Sequence, residues 1–121
     1  MFSIFKNTSQ AGPNLTRLSD HLSVTQQISP GDVPGLAQQG VRTIICNRPD
    51  REKAGQPDAK DIAAVAKENG MAFFHIPITP GQATQGDVDA FAKAVRDSEG
   101  RVVAFCASGN RSKSLAQAAG L

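Results

Sequence analysis

The chain has 121 residues, enough for one domain with its own core and no need of a disulfide or metal staple. Its net charge is only +2, with acidic and basic residues interspersed, and it has six Phe but no Trp or Tyr. That balance excludes a polybasic membrane-binding face, a basic nucleic-acid groove and a stacking platform for bases.

Residues 1–6 lack the basic start and long apolar stretch of a leader peptide, and no apolar run approaches the length that spans a bilayer. Two cysteines, Cys46 and Cys106, make no disulfide framework. No CxxC or HxxxH pair suggests zinc, so neither metal nor cofactor is expected. A reducing cytoplasm is the default compartment, where Cys106 stays usable as a thiol.

Strand and helix signals alternate along the chain. Residues 15–18 and Leu22–Thr25 read as short strands parted by Ser19-Asp20-His21. Ser29-Pro30 reads as the N-cap and first position of a helix carrying Val33, Leu36 and Ala37, closed by Gly40. Val41–Cys46 has the branched, continuously apolar character of a strand buried on both faces.

After the polar loop 47–57, Asp58 is expected to cap a helix whose Ile62, Val65, Ala66 and Asn69 share one side, ended by Gly70. Residues 71–76 form the next strand. Thr84 and Asp87 match a capping box before Val88, Phe91, Ala92 and Val95. Gly100 then resets the chain into Val102-Val103-Ala104-Phe105. This βαβα order predicts an α/β domain over residues 1–121, with a mostly parallel sheet between two helical layers. Only two to three helical turns follow Cys106, a thin cover that reads as a truncated chain or a helix packed on a partner.

In such sheets ligands bind outside the carboxyl ends of the strands. Cys46, His75 and Cys106 all fall at that edge. Cys106 opens the stretch Cys106-Ala107-Ser108-Gly109-Asn110-Arg111-Ser112, between a buried strand and the helical run 113–118. A small glycine-containing loop there aims successive N–H groups at one anion, with the helix dipole adding positive potential. Those amides and Arg111 would lower the thiol pKa, making Cys106 a thiolate nucleophile facing an oxyanion. The alternative is an inert core cysteine followed by a surface arginine.

Two reactions suit this arrangement. A thiolate can attack phosphorus while the loop amides and the planar fork of Arg111 carry the equatorial oxygens, with Ser112 bonding the sulfur to ease its departure. It can also accept a sulfane sulfur as a persulfide. Four residues separate Cys106 from Arg111, one fewer than in the usual phosphatase loop. The smaller ring favours sulfur, and Ser112 favours phosphoryl chemistry.

Residues from about 14 onward resemble a bacterial family of phosphatase-like domains, found alone or beside β-lactamase-like metallohydrolases, in the dual-specificity phosphatase superfamily. The stretches that carry the resemblance are Ile44-Ile45-Cys46-Asn47-Arg48-Pro49-Asp50, Ala54-Gly55-Gln56-Pro57, His75-Ile76-Pro77-Ile78 and the Cys106–Ser112 loop. The resemblance implies a cysteine-phosphatase-like fold, Cys106 as nucleophile and Arg111 as oxyanion binder. The short loop is a family feature, and members are described as phosphatases or as sulfurtransferases. The resemblance also implies fusion or association with a metallohydrolase-type domain.

This chain departs from the family pattern at three places. Ala107 stands where members commonly carry Arg, a loss that Lys113 is placed to offset. Phe105 replaces the histidine that phosphatases often place before the cysteine, and no aspartate follows the strand 71–76 where related phosphatases keep their general acid. Asp50 is the substitute acid, its loop leaving a strand beside the site; a turn aspartate bonding its own backbone is the competing reading. Asp87 is explained by capping, and Asp89 is a weaker acid candidate.

Some members of the superfamily protect the nucleophile with a second cysteine, which makes Cys46 a redox partner for Cys106, or simply a small apolar strand end. His75 reads as structural before catalytic, and Arg48 as a pocket or loop arginine. Gln56, Thr79, Gln82 and Thr84 are all in reach of a substrate. The expected function is a cysteine-dependent hydrolase of phosphate esters, with a small anion or a phosphoprotein as substrate. The alternatives are a sulfurtransferase with a Cys106 persulfide and a catalytically weak anion-binding module.

Overall fold

Branched apolar residues build the centre of the structure, which is a computed structural model describing residues 12–121. Residues 1–6, read above for a leader, lie outside the described residues. Five strands, β1 (Thr16–Arg17), β2 (Leu22–Thr25), β3 (Val41–Cys46), β4 (Ala72–His75) and β5 (Arg101–Phe105), form one sheet in the order β1-β2-β5-β3-β4. All neighbouring pairs are parallel except β1–β2. The four parallel strands therefore end at one edge, at Thr25, Cys46, His75 and Phe105.

Alternation along β3 and β5 divides the core in two. Ile44, Cys46, Val103 and Phe105 face a layer built from α1 (Val33–Gln38) and α2 (Ala59–Glu68), with Leu36, Ile62 and Ala66 packed on them. Ile45, Val102 and Ala104 face the opposite layer, α3 (Gln85–Arg96) and α4 (Asn110–Ala118), and meet Phe91, Val95 and Leu115. Both strands are buried on both faces, as continuous apolar runs require. At roughly 1.5–3 kcal/mol for each large side chain fully buried, these two layers hold the sheet in place from both faces.

The helix ends follow local chemistry, with one exchange of partners. Thr84 and Asp87 form the expected capping box, Asp87 N–H donating to Thr84 Oγ1 at 3.2 Å and Thr84 N–H to Asp87 Oδ2 at 2.9 Å. Asp58 occupies the N-cap position of α2, but its side chain makes no capping bond. Asp50 does that work from the preceding loop, its Oδ1 accepting from the Ala59 amide at 2.8 Å. The first strand and β4 are shorter than the apolar runs that foretold them, since Leu15 and Leu18 pack beside the two cores rather than in the ladder. α4 starts at Asn110, three residues before the expected Lys113, so Arg111 and Ser112 belong to its first turn. Leu115 and Ala116 are its buried apolar contacts.

Candidate active site: a thiol ringed by backbone amides

Cys106 follows β5 directly and is fully buried, at 0% exposure. The chain then folds back over its sulfur. Gly109 makes the turn possible with φ of 98°, a left-handed conformation, and a Cβ there would lie 3.3 Å from the Thr25 carbonyl oxygen. The turn brings the Gly109 N–H to 3.0 Å from Cys106 Sγ. Ser108 Oγ accepts from the Asn110 amide at 3.3 Å, and Ala107 O accepts from Gln27 N–H at 3.2 Å, fixing the loop to the chain after β2.

Burial pushes the Cys106 thiol up, but hydrogen bonds from the backbone amides of Ser112, Gly109, Arg111 and Ser108 outweigh it and hold the pKa below its ordinary value. Amide donors favour the thiolate over the thiol, so the loop eases ionisation of this sulfur.

Arg111 leaves the first turn of α4 and is clamped on two sides. One guanidinium nitrogen donates to Glu52 Oε2 at 2.6 Å and to the Ile78 carbonyl at 2.9 Å, and the other donates to Glu52 Oε1 at 3.0 Å. Glu52 also accepts from Arg48 Nε at 2.9 Å, and Arg48 reaches Gln27 Oε1 at 3.1 Å. The fork of Arg111, helped by Arg48, holds the Glu52 carboxyl down to about 2. Glu52 in turn raises the Arg111 pKa. Arg48 is buried, at 8% exposure, as a brace of this network rather than an exposed loop charge.

Asn47, the residue after β3, is fully buried and has every polar group engaged. Its Nδ2 donates to Ile76 O at 3.0 Å, its N–H to Phe105 O at 2.8 Å, and its carbonyl accepts from Ile78 N–H at 3.0 Å. Its Oδ1 accepts from the Ser112 hydroxyl at 2.8 Å. Ser112 was expected to bond the sulfur through its hydroxyl. The structure commits that hydroxyl to Asn47, and it is the Ser112 backbone amide that helps hold the Cys106 pKa down. Glu52 and Asn47, which hold Arg111 and Ser112, are the partners that the sequence does not single out. Neither carries a local signal beyond lying close to Cys46 and Asp50.

Other candidates take supporting places. His75 Nε2 lies 2.9 Å from Arg48 O, and Cys46 Sγ donates to the same oxygen at 3.4 Å. Gln56 staples its own loop, its amide donating to Pro49 O at 2.8 Å and its Oε1 accepting from Glu52 N–H at 3.1 Å. Thr84 and Asp87 cap α3, and Asp89 accepts from Gln85. Thr79 and Gln82 are exposed in the loop before α3, and Lys113 is exposed beside Ser108. Asp50, the expected acid, sits half-buried at the start of α2 with one oxygen given to Ala59. Both cysteines are free thiols, and the β3–β5 register pairs Cys46 with Phe105, one residue before Cys106.

Two grooves flank the loop. One of about 420 Å³ runs beside Arg111 between the chain after Ile78 and α4. The other, of about 300 Å³, lies beside Ser108 and is lined by Asn14, Thr25, Gln26 and Lys113. Among the described residues no group of three or more His, Cys, Asp or Glu is placed to hold a metal ion, and no helix is long and apolar enough to cross a membrane.

Relatives share this frame. A candidate phosphatase from Neisseria meningitidis is 34% identical, superimposes with a TM-score of 0.75, and is matched over 87% of either chain. The kinase-associated phosphatase, solved with its catalytic-site cysteine changed to serine, is 14% identical and superimposes with a TM-score of 0.73 over 91% of this chain and 74% of its own, a likeness of fold. The beta-lactamase hydrolase-like protein of Agrobacterium fabrum is 34% identical over 99 residues, 82% of this chain but only 23% of that protein. The chain thus spans about a quarter of this relative. The sequence profile of one family matches residues 14–120, and the chain belongs to it: the phosphatase-like domain of beta-lactamase hydrolase-like proteins.

Proposed function

We propose that the domain is a cysteine-dependent hydrolase of phosphate monoesters. The observation that carries this reading is a buried Cys106 Sγ that accepts from the Gly109 amide at 3.0 Å and is held below the ordinary thiol value by the loop amides, with the Arg111 guanidinium fixed nearby. In the first step the thiolate attacks phosphorus and an S–P bond forms as the P–O bond to the leaving group breaks. The leaving oxygen takes the electron pair and then a proton from solvent. In the second step water attacks the phosphocysteine, the S–P bond breaks, and inorganic phosphate leaves with the thiolate restored. The loop amides pass from the sulfur to the phosphoryl oxygens as charge moves onto them, and Arg111 binds two of those oxygens.

Glu52 and Asn47 are positioning residues in this scheme. Glu52 sets the plane of the Arg111 fork, and Asn47 holds the Ser112 turn so that its amide points at Cys106. Asp50 is left to cap α2, so no side chain is assigned to protonate the leaving group. Aryl esters, whose oxygen departs readily, are the expected good substrates.

One observation favours a second reading. Only four residues separate Cys106 from Arg111, a small ring that suits a single added sulfur. In that reaction the thiolate takes the outer sulfur of thiosulfate, forming a persulfide and releasing sulfite.

A single experiment separates them. The protein is incubated with an aryl phosphate or with thiosulfate, quenched in acid, and the Cys106 peptide is weighed by mass spectrometry. A phosphoryl group on Cys106, absent from Cys106→Ser, is the expected result. One added sulfur instead establishes the transferase. Vanadate binding with neither adduct leaves an anion-binding module and overturns both.

A further inference from the structure

The groove beside Arg111 differs in kind from its neighbour across the loop. Ile78, Pro80, Ala83, Val88, Leu115 and Ala118 line it, and Arg111 is the single charged residue in its wall among the described residues. Ile78 and Leu115 form a buried floor, while Pro80, Ala83 and Ala118 are exposed along the rim. The opposite groove presents Asn14, Thr16, Thr25, Gln26, Ser108 and Lys113, side chains suited to hydroxyls and charge.

We infer that the groove beside Arg111 is the subsite for the body of the substrate, and that the body is a small apolar group, an aromatic ring system above all. Three observations converge. Arg111 and Asn110 belong to both the anion loop and the groove wall, so a molecule with its oxyanion at the loop continues past these two residues directly into the groove. The volume of about 420 Å³ falls in the range of small-molecule sites and exceeds what the oxyanion alone needs. Besides Arg111 the wall has two polar side chains, Asn110 at the loop and Ser114, too few for the several hydroxyls of a sugar phosphate, most of which would be left unsatisfied there.

The inference deepens the hydrolase reading and rests on it, so its test uses phosphonates that bind without turnover. Affinities of methylphosphonate and 1-naphthylmethylphosphonate are measured by amide NMR titration of the whole chain, for wild type and Ala118→Gln. Ala118 is exposed on α4, outside the anion loop, and Gln is a good helix former. The naphthyl compound is expected to bind about tenfold tighter or better, shifting Val88 and Leu115 resonances, through apolar area removed from water. Ala118→Gln should remove that gain and leave methylphosphonate binding unchanged. Equal affinities with both compounds shifting Gly109 and Arg111 would overturn the subsite and leave the hydrolase standing. A naphthyl gain untouched by Ala118→Gln, with shifts at Ser108 and Lys113, overturns it as well. If neither compound moves the loop amides, the anion site itself falls, and the subsite with it.

Discussion

Cys46 and Cys106 end adjacent parallel strands at the same sheet edge, are buried to 3% and 0% exposure, and have opposite chemistry. Burial pushes the Cys46 thiol up to about 11, and its sulfur donates to a carbonyl, Arg48 O. The Cys106 sulfur is buried as well, but it faces N–H groups and is held below the ordinary thiol value. Burial raises both thiols; what separates them is that a single backbone contact, at Arg48, opposes it at Cys46, whereas several loop amides oppose it at Cys106. Asn47-Arg48-Pro49 runs on as loop and offers an oxygen. Ala107-Ser108-Gly109 turns back through a left-handed glycine into a helix N-terminus and offers amides. The acidity of each thiol follows from the turn after the strand, more than from the residue.

The sharpest way to break the contrast is to remove each thiol in turn. Cys106→Ser is expected to cut aryl phosphate turnover by roughly 10⁴-fold or more, because a hydroxyl is not ionised by the same amides. Cys46→Ser should keep near wild-type turnover in steady-state assays. Equal losses in the two variants would erase the distinction. Arg111→Lys comes next, at about 10²-fold in kcat/KM, since an ammonium cannot grip two oxygens in one plane. Gly109→Ala attacks the turn itself. The left-handed backbone costs Ala roughly 1–2 kcal/mol, read as a lowered midpoint in urea unfolding, and the displaced amide should let the Cys106 pKa rise.

The smallest effect concerns Glu52. Its hydrogen bonds from Arg111, and then Arg48, hold its folded-state pKa at about 2, against an ordinary 4.5. The stabilisation is therefore complete above pH 4.5 and is lost as pH falls from there through 2. Melting temperatures should drop more steeply across that window in wild type than in Glu52→Gln. Identical slopes would mean that Glu52 does not anchor Arg111.

Much of this was readable from residue order. The alternating apolar runs placed each strand, the Thr84–Asp87 pair marked α3, and the Cys106–Arg111 spacing marked the anion loop, because each depends on neighbours a few residues apart. Long-range partners were not readable. Glu52 meets Arg111 across 59 residues and Asn47 meets Ser112 across 65, and nothing in the loop 47–57 distinguishes the acid that pairs with arginine from the one that caps a helix. Asp50 is a candidate acid in the sequence because its loop leaves a strand beside the site. The geometry turns it to Ala59 and leaves the cap at Asp58 without its side-chain bond. The partner of the Ser112 hydroxyl is hidden for the same reason: Asn47, just after β3, is brought near only by the fold.

Thiolate absorbance near 240 nm, followed against pH, tests the central claim most directly, and the absence of Tyr and Trp leaves the signal free of tyrosinate. Wild type should show two steps, one below the ordinary thiol value of 9.0 and one near 11. The lower step should vanish in Cys106→Ser and the upper in Cys46→Ser. A lower step that survives in Cys106→Ser, or a Cys106 that ionises only above 9.0, would contradict a loop built to hold a thiolate.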